Sequence, residues 1–249
     1  MKRLYYVFAS LLILILAAGG PADLMGQSKF SLDPGGAFVS RYVWRGTDFG
    51  NSPAIQPAVE LGYSGFALGA WGSYSTTDAN FQEADFYLSY TLKDMFTFMV
   101  TDYFFPNGRA TDNDYLHYNS DSTGHVFEGS ISFNGTEKIP FRVLVATNFA
   151  GADAHDADGN LQYSTYIEVG YFTTVGKNSL DIFLAGTPTN PDKDKGESGY
   201  YGPEAGIVNL GITASRDIKI TESFSLPVSV SVIANPQHEN IWFVFGISI

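Results

Sequence analysis

The sequence predicts an all-β fold: a single closed antiparallel transmembrane up-and-down β-barrel of about 12 strands. Three observations carry this. Segments of about ten residues alternate with a period of two. Short turns alternate with mostly longer connections along the chain. The composition is rich in Phe (20), Tyr (15) and Gly (26), while only 16% of residues are charged, against the quarter or so usual for a soluble domain. Many aromatics with few charges suit a barrel whose outside faces lipid.

The N-terminus comes first, because it is set aside before any fold reasoning. Lys2 and Arg3 precede an almost unbroken apolar run from Leu4 to Ala18, and small residues follow at Ala17, Ala18, Gly19 and Gly20. This is the layout of a secretory signal peptide, assigned here to 1–26, with the barrel in 27–249. The run is short for a bilayer span, which takes ~20 apolar residues. Nothing after it is long and apolar enough for a membrane helix, so a spanning body has to be a barrel. The chain has no cysteine, which leaves neither a lipid-anchoring thiol nor a disulfide. Stability then has to come from sheet closure and packing. The net charge of -12 argues against nucleic acid, since phosphate binding needs a basic face.

Along the chain, 27–35 reads as a short lead-in and the first strand as the stretch around 36–46. In the next clear segment Ala84, Phe86, Leu88, Tyr90 and Leu92 oppose Glu83, Asp85, Tyr87, Ser89 and Thr91. Val208, Leu210, Ile212 and Ala214 oppose Asn209, Gly211, Thr213 and Ser215; Leu226, Val228, Val230 and Val232 oppose Ser229, Ser231 and Asn235. The last segment sets Ile241, Phe243, Phe245, Ile247 and Ile249 against Trp242, Val244, Gly246 and Ser248. A final strand of this kind suits pairing with the first. Short turns are expected at 64–65, 93–95, 136–140, 176–178 and 221–223. The other connections are 47–52, 76–82, 107–124, 152–162, 189–206 and a short one at 237–239. Short periplasmic turns and longer outer loops are the rhythm of outer-membrane barrels.

One stretch, 36–74, carries a family resemblance. Val39-Ser40-Arg41-Tyr42-Val43-Trp44-Arg45-Gly46 resembles the V-S-x-Y-x-x-R-G start of the TorF family of porins, Gcw_chp-type bacterial outer-membrane barrels. Asn51, Pro53 and Gln56 match its N-x-P-x-x-Q, and Gly69 with Trp71 its G-x-W; Glu83-x-Asp85-x-Tyr87 is also similar. The resemblance implies an outer-membrane β-barrel of the porin kind.

If apolar positions face lipid, Arg41 and Arg45 share one face with Val43, and Tyr42 and Trp44 take the other. A lipid-facing Arg at mid-bilayer costs ~2–4 kcal/mol, so both arginines are expected in the lumen. Glu60 is expected beside them, and Glu83, Asp85, Tyr87, Glu128, Arg142, Glu168 and Asp181 are the other lumen-lining candidates. Such a lining could filter small polar solutes; it could equally be a salt-bridge network that fills a narrow barrel.

Metal binding has a weak candidate in Asp156, Asp158 and Asn160, which with Gly159 echo part of a calcium loop without its distal Glu. Further acids gather at Asp112 and Asp114, and at Asp192 and Asp194; solvated acidic loops are the favoured reading. Catalysis finds no G-x-S-x-G and no H-E-x-x-H, and His117, His125, His155 and His238 sit in loops or at strand ends. No enzyme activity and no cofactor are expected. The expected partners are outer-membrane lipids and lipopolysaccharide, the barrel-assembly machinery and small polar solutes. The leading expectation is a passive channel for small hydrophilic molecules in the bacterial outer membrane. The alternatives are a structural or adhesive barrel with a plugged lumen and functional outer loops, and a soluble periplasmic β-protein.

Overall fold

The computed structural model describes residues 30–78, 81–106, 114–118 and 123–249. The expected signal peptide at 1–26 lies outside the described residues, as do Asp112 and much of the 107–124 connection.

The wall is built from β1 (Phe30–Val39), β4 (Ala54–Tyr63), β5 (Phe66–Ser75), β6 (Gln82–Leu92), β7 (Phe96–Phe104) and β8 (His125–Phe133). It continues through β9 (Phe141–Gly151), β10 (Thr165–Val175), β11 (Asn178–Thr187), β12 (Gly206–Lys219), β13 (Ser225–Asn235) and β14 (Asn240–Ser248). Each strand pairs antiparallel with the next, and β14 closes onto β1. A two-residue hairpin, β2 (Val43–Trp44) with β3 (Thr47–Asp48), stands apart from the wall between β1 and β4.

Alternation decides the two faces of the wall. Ile55, Val59 and Leu61 on β4, Phe86 and Tyr90 on β6, Ile167 and Val169 on β10, and Ile241, Phe243 and Phe245 on β14 are all exposed. The intervening residues are covered, because they point inside. Strands of this length, tilted as barrel strands are, give an apolar band ~25 Å tall. At the short-turn end that band is rimmed by outward aromatic pairs across neighbouring strands. These are Phe30 with Tyr63, Phe66 with Tyr90, Phe96 with Phe133 and Phe141 with Tyr171, at centroid distances of 4.6, 4.6, 5.5 and 5.1 Å. A contiguous apolar surface of this extent with aromatic rims is that of a barrel embedded in a bilayer.

The turns follow from local chemistry. Ser64-Gly65 and Lys93-Asp94 all adopt positive φ, the conformation that lets tight connections match strand twist.

The first strand departs from expectation. It spans Phe30–Val39, most of which the sequence suggested was a lead-in, and 40–53 is a connection rather than wall. Pro34-Gly35-Gly36 hides the strand, because proline cannot donate to a ladder. The register explains why it is tolerated. Gly36 and Ile249 exchange both backbone bonds, at 3.0 and 2.9 Å, and Ser40 N–H donates to Phe245. Even-numbered residues of β1 therefore face β14, and the β14 pairing reaches no further than Gly36. Among the described residues nothing pairs with Pro34 on that side, where it has no N–H to leave unpaired.

Candidate functional site

The interior is not uniform along the barrel axis. Buried inner residues concentrate in the half nearer the long connections: Gln56, Ser73, Glu83, Asp85, Tyr103, Glu128, Asn148, Tyr166 and Asn235. Much of the material that buries them is the 40–53 connection, joined by Asp153 over Asn148 and by Tyr201 beside Glu128 and Tyr166. Arg45 (φ 49°) and Gly46 (φ 77°) form the tip of the β2–β3 hairpin, and this tip inserts into the lumen.

Its contacts run most of the way around the wall. Tyr42 packs on Trp71 of β5 at 5.4 Å and Trp44 on Tyr103 of β7 at 5.3 Å. The Arg45 guanidinium donates to both carboxylate oxygens of Glu128 on β8, the second arm at 2.9 Å, and to the Tyr201 hydroxyl at 2.6 Å. It also lies 4.5 Å over Trp44 and 4.6 Å over Tyr166 of β10. Asn235 of β13 donates from Nδ2 to the Gly46 carbonyl at 2.9 Å. Gly46 presses so close to β12 that a Cβ there would lie 2.0 Å from the Val208 carbonyl oxygen. Tyr103 and Tyr201 also donate to Glu128, at 3.1 and 3.2 Å. Arg45 is 9% exposed and Glu128 2%. Such burial is sustainable only because every arm of the pair is bonded; removing one partner of a buried pair typically costs about 3–5 kcal/mol.

Tyr201 comes from the connection at 188–205, which lies over the same end. Its Glu197 accepts from the backbone of Asp192 at 2.8 Å and of Ala157 at 2.9 Å, tying it to the 152–164 connection. Asp156 in the latter accepts from the N–H groups of Asn160 and Asp158 at 2.8 and 3.0 Å and from the Asn160 amide. These bonds, chiefly those from Asn160, hold its carboxyl below the ordinary aspartate range. Asp156 thus spends its oxygens on its own loop. Among the described residues no three acidic or histidine side chains converge for a metal ion.

The other half of the lumen stays water-accessible. There Arg142 of β9 bridges Glu168 of β10, at 2.8 Å, and Asp181 of β11. Gly170 clears the way: a Cβ on it would stand 2.5 Å from the guanidinium. Glu60 accepts from the Tyr87 hydroxyl at 2.6 Å.

Of the residues singled out in the sequence, Glu60, Glu83, Asp85, Tyr87, Glu128, Arg142, Glu168 and Asp181 all lie on the inner face of wall strands. Arg41 and Arg45 do not lie on a wall strand. Arg41 pairs with Asp48 and Asn51 inside its own connection, while Arg45 is the tip of the inserted hairpin. Tyr42 and Trp44, expected toward lipid, are inside the barrel. The physical reason is the positive-φ turn at Arg45-Gly46, which folds the segment back on itself. Sequence reasoning missed Tyr166 and Tyr201 around Arg45, Tyr103 on its partner Glu128, and Asn235 on the neighbouring Gly46. Only the tertiary fold brings four such distant positions together.

It also missed a polar cluster on the outer wall. Asp102 and His125 face outward on β7 and β8, and His125 is wholly buried. Nδ1 lies 2.7 Å from Asp102 Oδ1, Nε2 lies 2.6 Å from the Tyr115 carbonyl, and the Tyr115 hydroxyl donates to Asp102 at 3.0 Å. Tyr118 stacks on the imidazole at 4.4 Å. Residues 114–118 therefore wrap over the outside of the wall and do not enter the lumen.

The sequence matches the profile of a family described as "Bacterial protein of unknown function (Gcw_chp)" over residues 24–185. The chain belongs to this family. The Gcw_chp match takes in the inserted hairpin and the wall as far as β11. Among curated proteins none matches the sequence. Solved structures similar to this Gcw_chp chain include the KdgM porin, at 10% identity over 88% of this chain and 98% of that one, with a TM-score of 0.46. The NanC porin follows at 11% identity, 88% and 98% coverage and a TM-score of 0.43. A variant of the Rh. blastica porin aligns at 14% identity over 79% of this chain, with a TM-score of 0.38, and the chain spans 55% of its length. These scores are low, and the fold assignment rests on the hydrogen-bonded register of the chain itself.

Proposed function

We propose that this protein is a gated channel of the bacterial outer membrane, exported by the leader at 1–26, which passes small hydrophilic solutes when the hairpin at 40–53 leaves the lumen. One observation supports this above others. Among the described residues one half of the barrel is filled, chiefly by a hairpin whose tip is held through polar and ionic contacts, while the other half keeps a charged, water-accessible lining around Arg142, Glu168 and Asp181. A barrel filled purely for rigidity would gain more from an apolar core throughout. Lipids and lipopolysaccharide would surround it, and the barrel-assembly machinery would insert it.

Planar-bilayer recording tests the reading. The wild-type barrel should be mostly silent. Arg45→Ala leaves Glu128 buried and unpaired, so the seated hairpin loses about 3 kcal/mol, or ~100-fold in population, and channel events should rise steeply. Folded Arg45→Ala protein that never conducts would instead favour a structural or adhesive barrel. That second reading has its own support, since the segment from Tyr42 to Gly46 touches β5, β7, β8, β10, β12 and β13 and so blocks the section it occupies.

A further inference from the structure

Glu83 and Asp85 stand two residues apart on the inner face of β6, beneath the seated hairpin. They are 3% and 6% exposed. Neither has a basic partner among the described residues: Arg45 is committed to Glu128, Arg41 to Asp48 and Arg142 to Glu168 and Asp181. Both oxygens of Glu83 and Oδ1 of Asp85 are buried without a hydrogen-bond partner. The two carboxyl groups lie against each other, and the Tyr42 hydroxyl of the 40–53 connection stands beside Glu83. Ser73, also buried, lies directly across the ladder from Glu83. Burying two carboxylates without compensation is prohibitive. Something must neutralise them.

We propose that Glu83 and Asp85 bind one hard divalent cation of the calcium class, with neutral oxygens from Tyr42 and Ser73 available to complete the shell alongside water. The donor set is all oxygen, which selects calcium-like ions over zinc or copper. A proton shared between the carboxyls leaves one negative charge buried on the pair, whereas a divalent cation balances both. With Tyr42 in its shell the ion bridges the wall to the hairpin and locks the hairpin in place. The claim needs the hairpin to be seated but is independent of solute passage.

The test uses the full barrel folded in detergent micelles, with terbium(III) and calcium chlorides as probes. Tyr42, Trp71 and Tyr103 surround the pair, so bound terbium should show aromatic-sensitised emission that calcium displaces. Glu83→Gln with Asp85→Asn should weaken binding on the order of 100-fold, while Asp156→Asn with Asp158→Asn in the outer loop leaves it unchanged. Should the double variant fail to fold, Glu83→Gln alone and the rise of wild-type melting temperature with calcium read the same site. Absent sensitised emission at neutral pH, emission indifferent to Glu83→Gln, or loss of binding on changing the outer-loop acids would each overturn the proposal. So would a melting temperature that responds to acid but not to calcium, which would assign a proton to the pair. None of these readouts involves conductance, so their failure is distinct from failure of the channel reading.

Discussion

Arg45 carries its charge inside the barrel because its planar guanidinium meets a planar carboxylate and two aromatic faces at once. A lysine keeps the charge but loses the second arm and the stacking. Arg45→Lys should therefore fold normally and still raise channel events in bilayers, though less than Arg45→Ala; conductance like that of the wild type would remove the guanidinium geometry from the account. Gly46 makes the neighbouring case without any charge. Its φ is 77°, and an added Cβ would lie 2.0 Å from the Val208 carbonyl oxygen. Gly46→Ala should unseat the tip and cost about 1–3 kcal/mol, read as a lower unfolding midpoint together with more frequent opening. Both changes leave the wall strands untouched, so the heat-resistant compact band of a folded barrel in gel electrophoresis should persist.

At the scale of elements, residues 114–118 of the connection between β7 and β8 are held against the outside of the wall by a few side chains. His125 sits between Asp102 and the Tyr115 carbonyl, under the ring of Tyr118. Outward-facing polar residues are costly in a lipid-facing wall, and here the loop covers them. His125→Ala removes the bridge and leaves Asp102 under the loop with one fewer partner, at a cost of about 2–4 kcal/mol. Chymotrypsin should then cut near Tyr115, Leu116 and Tyr118 faster while the barrel stays intact; an unchanged cleavage rate would mean that His125 does not hold the loop. The closing seam is the other element with its own logic. Its ladder is short, and β1 continues beyond it as an edge unpaired among the described residues, where Pro34 withholds a donor. An edge without such a residue invites pairing with other chains.

The whole molecule is an inside-out arrangement. Its exposed surface is apolar and its interior polar, so stability depends on which face a residue takes. Val100 and Met99 are neighbours on β7, the first exposed on the outside and the second on the inner face. Val100→Arg places a charge in the apolar band and should cost ~2–4 kcal/mol in unfolding measured from lipid bilayers, while Met99→Arg should cost under about 1 kcal/mol. Equal costs at the two positions would contradict a membrane-embedded wall. The calcium dependence proposed for Glu83 and Asp85 belongs at this scale too, since the ion would join the wall to its plug.

By itself the sequence determined the wall apart from its first strand. Period-two alternation at 83–92, 208–215 and 241–249 places lipid-facing and inner residues because β geometry leaves only two faces. The alternation of turn and loop lengths sets the strand count and which ends the connections join. The tertiary structure alone decided how the lumen is filled. Nothing local marks Arg45 as the tip of a plug, since its partners at Glu128, Tyr166 and Tyr201 are 83 to 156 positions away. The same holds for the first strand, where Pro34-Gly35-Gly36 reads locally as a break. Only the register, which leaves Pro34 on an edge that β14 does not reach, shows why a strand forms there. Local periodicity reports which face a residue takes; what meets it across the barrel is fixed by closure.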